Sequence, residues 1–86
     1  MTSQYLRQAV KLAPIVERVH GANHPELTRV RELTEQLHKA DGKASASELF
    51  AELREVTKNY AVPADACEAF TATYESLRSA DLARNS

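Results

Sequence analysis

His20-Gly21-Ala22-Asn23-His24-Pro25-Glu26-Leu27 is a break between two amphipathic segments, and it holds two of the chain's three histidines. Upstream, Tyr5, Ala9, Leu12, Val16 and Val19 recur at alternating spacings of four and three, which draws one apolar stripe along a helix from about Ser3 to His20. Pro14 lies inside that helix. A proline there removes one backbone donor and crowds the preceding turn, so a kink is expected. Gly21 ends the helix as a residue free to take positive φ. Downstream, Pro25 suits the first turn of a second helix, where its missing N–H has no partner to lose, with Asn23 or His24 as cap and Glu26 as a first-turn acid. Leu27, Val30, Leu33, Thr34 and Leu37 form its buried stripe to about Ala40, and Asp41-Gly42 stops it.

Two further helices follow. Ser45 with Glu48 three residues later reads as a capping box, and Leu49, Phe50, Leu53, Val56 and Tyr60 form the apolar face behind it. Ala61-Val62 is a short connection, after which Pro63 opens the last helix with Asp65 in its first turn. Ala66, Phe70, Thr73, Leu77 and Ala80 mark its inward face, with Cys67 and Tyr74 at the margin. No stretch alternates with period two, so no sheet is expected. Short loops between helices favour antiparallel neighbours, and the fold class predicted is all-α: a small up-down-up-down four-helix bundle, one domain over residues 1–86. In such a bundle the first and third junctions share one end.

Composition narrows the function classes. Apolar residues are 43% and charged residues 27% of 86, values of a globular rather than a disordered chain. Eleven basic against twelve acidic side chains give a formal charge of -1, so there is no positive field to hold nucleic acid or an anionic membrane surface. The apolar runs are far shorter than the roughly 20 residues that span a bilayer. A single cysteine, Cys67, has no internal disulfide partner, and no charged-then-apolar signal segment opens the chain, which points to a reducing cytoplasm. No Ser-His-Asp order, glycine-rich phosphate loop or Cys-x-x-Cys is present, so neither nucleotide binding nor triad hydrolysis has support, and no catalytic set is assigned.

Two blocks carry a family resemblance. Val16-Glu17-Arg18-Val19-His20-Gly21-Ala22-Asn23-His24-Pro25-Glu26-Leu27 resembles the hemerythrin-like iron–sulfur cluster repair proteins, in which a valine-rich helix ends in a similar His-Gly-x-Asn-His-Pro-Glu-Leu. Thr57-Lys58-Asn59-Tyr60-Ala61-Val62-Pro63-Ala64-Asp65-Ala66-Cys67, followed by Tyr74-Glu75-Ser76-Leu77, looks like the segment those proteins carry before their last helix. Together the blocks cover about half the chain in the family's order, and the chain looks like the short form called ric. The resemblance implies a four-helix bundle, repair or protection of iron–sulfur clusters under oxidative or nitrosative stress, and iron as the metal.

The chain also departs from that family. Full-length members resemble a bundle that binds two irons through five histidines and two bridging glutamates, whereas this sequence has three histidines. The family's His-x-x-x-Glu pair and following Glu-His are replaced by Ala40-Asp41-Gly42-Lys43-Ala44, and Asp81-Leu82-Ala83-Arg84-Asn85-Ser86 stands where the family continues into another His and Glu. Of the ligand set only His20 matches. His24 and His38 lie fourteen residues apart on one helix, or about 21 Å at 1.5 Å per residue, so they cannot share an ion. His20, His24 and either Glu26 or Asp65 remain within reach of a common point. The candidate metal residues are therefore His20, His24 and Glu26, short of a di-iron centre in one chain.

Each of these residues has an ordinary reading as well. His20 suits a helix C-terminus, His24 an N-cap or packing on Pro25, and His38 a solvated position. Cys67 reads either as a small buried core residue or as a redox-active thiol or cluster ligand near a helix N-terminus. Tyr5, Tyr60 and Tyr74 read as core-margin residues with hydroxyls in water, and Arg29, Arg31, Glu32 and Glu35 as a solvated face with local ion pairs. Two functions are carried forward: a truncated relative of the cluster repair proteins, or a non-catalytic interaction module, homodimeric and metal-free. Both imply a protein partner or a second copy.

Overall fold

The computed structural model describes residues 2–39 and 46–85. Four helices make up the fold: α1 (Thr2–His20), α2 (Leu27–Lys39), α3 (Ala46–Val56) and α4 (Glu68–Asn85). α1 packs against both α4 and α2, and α2 packs against α3, in a four-helix bundle without strands among the described residues. None of these helices is long and apolar enough to cross a membrane. Asp41-Gly42 and the capping Ser45 lie outside the described residues.

One apolar cluster joins the helices. α2 buries Leu27, Val30, Leu33, Thr34 and Leu37, the stripe its 3.6-residue period predicts. α3 contributes Phe50 and Leu53, and α4 Phe70, Tyr74, Leu77 and Ala80. Each fully buried leucine or phenylalanine contributes roughly 1.5–3 kcal/mol relative to exposure. Thr34, Thr57 and Thr73 enter the same interior because each hydroxyl donates to the carbonyl four residues back, at 2.6, 2.7 and 2.8 Å. With the hydroxyl satisfied locally, the methyl is left to pack.

α1 is rotated relative to the expected stripe. Leu6, Ala9, Ala13 and Val16 are its buried residues, Tyr5 and Leu12 sit at the margin, and Val19 is 63% exposed. The reason is the drift of a 3.6-residue helix past a 3.5-residue pattern: Val19 follows Tyr5 by two heptads, and the drift of about 20° per heptad turns it off the core. α1 runs continuously through Pro14. At its end Gly21 is required by space rather than by a positive φ, since a Cβ there would collide with the Glu17 carbonyl oxygen that its own N–H bonds at 2.8 Å.

The link from α3 to α4 departs most from expectation. α3 ends at Val56 and α4 begins at Glu68, so Tyr60 lies beyond the third helix and Pro63 and Asp65 lie ahead of the fourth. Lys58, Asn59 and Tyr60 take left-handed φ values of 55°, 61° and 61°. For residues with a Cβ this conformation costs about 1–2 kcal/mol each, least for asparagine. Hydrogen bonds hold it: Asn59 N–H donates to the Arg54 carbonyl at 2.7 Å, closing the helix end, and Tyr60 N–H donates to the Thr57 hydroxyl at 2.8 Å. The Tyr60 ring then turns inward, and its hydroxyl donates to Asp81 at 2.7 Å instead of reaching water. Asp81 is only 4% exposed and also accepts from Arg54 Nε at 2.7 Å. Burial, then the Asp81 carboxylate, pushes the Tyr60 phenol far above its usual range, so it stays a donor.

The charged residues of α2 also do more than decorate a solvated face. Arg29 pairs with Glu52 of α3 at 2.6 Å, and Arg31 with Glu17 of α1 at 2.6 Å, in addition to the local Glu32 and Glu35 contacts. These pairs tie α2 to both neighbours. Replacing Tyr60 by Phe should lower unfolding free energy by about 1.5–3 kcal/mol, because a bond to a buried carboxylate is lost. Urea denaturation should show a lower midpoint with an unchanged slope; an unaltered midpoint would remove the Tyr60–Asp81 bond from the account of the fold.

Candidate functional site

The junction between α1 and α2 and the link between α3 and α4 meet at one end of the bundle. His20 closes α1, and its carbonyl accepts from the N–H groups of Asn23 and His24 at 3.1 and 2.9 Å, which folds the chain back at once. The His24 and Pro25 carbonyls then accept from Leu27 and Thr28, so Pro25 and Glu26 form a turn ahead of α2 rather than its first residues. Glu17 locks the corner by accepting from Arg31, and the Thr28 hydroxyl followed by Arg31 holds its carboxyl below the usual range.

Phe70, with no exposed surface, is the floor of the site. Its ring meets His20 edge-on at 5.2 Å, His24 at 5.3 Å and Tyr74 at 5.0 Å between centroids. Edge-to-face contacts of this kind add roughly 0.5–1.5 kcal/mol beyond burial. Two imidazoles are thereby set above one core ring, each with its Nε2 directed to the neighbouring loop.

One nitrogen of each ring meets the second resembling block. His20 Nε2 lies 3.2 Å from Cys67 Sγ, and His24 Nε2 lies 3.0 Å from both oxygens of Asp65, while His24 Nδ1 is 3.3 Å from Glu26 Oε2. Asp65 sits in the link, not in the first turn of α4. Cys67 directly precedes α4 and is exposed, which corrects the reading of it as a small core residue. Its carbonyl accepts from Thr71 N–H at 3.0 Å, so its backbone belongs to the helix entrance and its side chain is left facing His20. His38 is exposed near the far end of α2 and takes no part.

Electrostatics follow from these contacts. The Asp65 carboxylate, then Glu26, raises His24 above its ordinary 6.5, although partial burial opposes this. The His24 hydrogen bond in turn holds Asp65 below its ordinary 3.8. Burial and the nearby Glu26 carboxylate push the Tyr74 phenol up to about 12. Beside this cluster opens a cavity of about 470 Å³ between Glu26, Val56, Lys58, Val62 and Tyr74.

The three candidate metal residues are thus neighbours, yet each nitrogen of His24 already faces a carboxylate and His20 faces a thiol. Among the described residues no three His, Cys, Asp or Glu side chains converge as a metal ion requires. The residues present do not fit a di-iron centre, which needs two clusters of imidazoles bridged by carboxylates. What the fold and site define is a four-helix protein with paired imidazole–thiol and imidazole–carboxylate contacts at one end. Comparison with family models, curated proteins and solved structures gives no match to the chain.

The His24–Asp65 pair generates a pH prediction. His24 has a raised folded pKa, so its contribution is full below about 6.5 and is lost as pH rises through the folded value. Asp65 has a lowered one, so its contribution is full above 3.8 and is lost as pH falls through the folded value. The link should be firmest between these limits. In a proton NMR titration of the imidazole signals, Asp65→Asn should bring the His24 midpoint down toward 6.5. A midpoint that does not move would break the pairing.

Proposed function

We propose that this chain is a small helical relative of the iron–sulfur cluster repair proteins, acting as a non-enzymatic accessory in the protection or repair of damaged clusters. The observation that carries the reading is the contact between the two separated blocks of the resemblance: His20 of the first and Cys67 of the second lie 3.2 Å apart. Imidazole nitrogen and thiolate sulfur are both good donors to ferrous iron. Iron released from a cluster is then cargo, met at an exposed two-donor pair on the bundle end. Two protein donors leave most of an iron's coordination sphere open, which suits passage to a partner and not retention. The cytoplasm is the compartment this reading implies, because the free thiol must stay reduced.

The test uses untagged protein, since an affinity tag rich in histidine supplies ligands of its own. Titrated anaerobically with ferrous iron and desalted, it should keep fewer than two irons per chain, and show no oxo-bridge absorption. His20→Ala should abolish what binding there is and slow reactivation of oxidised aconitase, with the helical circular dichroism unchanged. Two tightly held irons per chain, or repair activity indifferent to His20, would overturn the proposal.

A second reading, a metal-free homodimeric interaction module, is favoured by one observation. Ile15 and Val19, four residues apart on α1, are 43% and 63% exposed, an apolar pair on the outer face of the helix. Sedimentation equilibrium should find a dimer that Val19→Asp dissociates. A chain that stays monomeric at hundreds of micromolar would remove this reading.

A further inference from the structure

The cavity beside the histidine cluster has features that the iron reading does not use. Its lining combines apolar Val56, Val62 and Pro63 with polar His24, Glu26, Lys58 and Tyr74. About 470 Å³ falls within the 300–1,000 Å³ range of small-molecule sites.

Three polar groups around it have unmet capacity. Tyr74 is 2% exposed, and its hydroxyl makes no hydrogen bond among the described residues. Every fully enclosed side-chain nitrogen or oxygen in the described structure has a partner, so this hydroxyl reaches solvent, and the cavity is the opening its ring lines. Open to solvent and without a protein partner, this hydroxyl is available to a ligand that enters the cavity. Glu26 uses Oε2 on His24 and leaves Oε1 free. Lys58, held exposed at the rim by its left-handed backbone, has no acidic partner among the described residues.

Charge decides what fits. A purely cationic guest meets Lys58 and the imidazole of His24, and a purely anionic guest meets Glu26, whose Oε1 is not engaged by His24. A zwitterion satisfies both, and an aliphatic side chain covers the apolar wall. We propose that the cavity binds a small aliphatic α-amino acid, its ammonium shared by Glu26 and Tyr74, its carboxylate on Lys58 and its side chain against Val56, Val62 and Pro63. The proposal needs neither His20 nor Cys67, the pair on which the iron reading rests, though it shares Glu26 with the candidate metal residues.

Amide NMR titration of the full chain with L-leucine tests it. Leucine should shift the Glu26, Lys58 and Val62 signals saturably. 4-Methylpentanoate, which lacks the ammonium, and 3-methylbutylamine, which lacks the carboxylate, should each bind at least about tenfold more weakly, the factor that loss of one charge-assisted bond confers. Tyr74→Phe should weaken leucine binding by about tenfold as well. Lys58→Met, at an exposed position that leaves the core intact, should do the same and covers the case in which the Tyr74 variant fails to fold. Absence of saturable shifts, shifts confined elsewhere, equal binding of either truncated compound, or full affinity in the Lys58 variant would each overturn the assignment.

Discussion

The Phe70 ring is the constraint on which the functional end of this molecule depends. It has no exposed surface, and it touches His20, His24 and Tyr74 at once, so the packing of α4 into the core also sets both imidazoles. Side chains at a loop surface ordinarily sample several rotamers. Here an edge-to-face contact with a fully packed ring restricts each histidine, and the outer nitrogens are left to choose between Asp65 and Cys67.

The long link between α3 and α4 makes that meeting feasible. A tight turn from Val56 directly into a helix at Pro63 would have placed Asp65 and Cys67 on the α4 surface. Instead three left-handed residues terminate α3, Tyr60 is anchored on the buried Asp81, and the segment beyond is free to cross the end of the bundle. The backbone cost of that turn is offset by the helix-end hydrogen bonds and by the Tyr60–Asp81–Arg54 network. The same turn sets Lys58 at the rim of the cavity, so one local strain positions groups for both features.

Donor counting limits the chemistry. Three histidines, one of them at the far end of α2, cannot supply the nitrogen-rich set of a di-iron bundle. The donors that do come together do so as pairs, with His24 committed to carboxylates on both sides. Among the described residues the donors therefore do not converge as a resident metal centre requires.

Much of this was legible in the chain. The period of Leu27, Val30, Leu33, Thr34 and Leu37 determined α2 and its buried face, because 3.6-residue spacing leaves one orientation that hides all five. Gly21 and Pro25 determined where the chain breaks, and antiparallel packing of short-linked helices put both junctions at one end. Tertiary structure alone decided the remainder. Local pattern could not show that Val19 turns outward, since that depends on which part of α1 faces α4. Nor could it show that Pro63 opens no helix, because the link that precedes it is anchored through Tyr60 on Asp81, twenty-one residues further on. The His20–Cys67 contact spans forty-seven residues, and no spacing rule within a helix reaches that far; only the closed bundle brings the two side chains together.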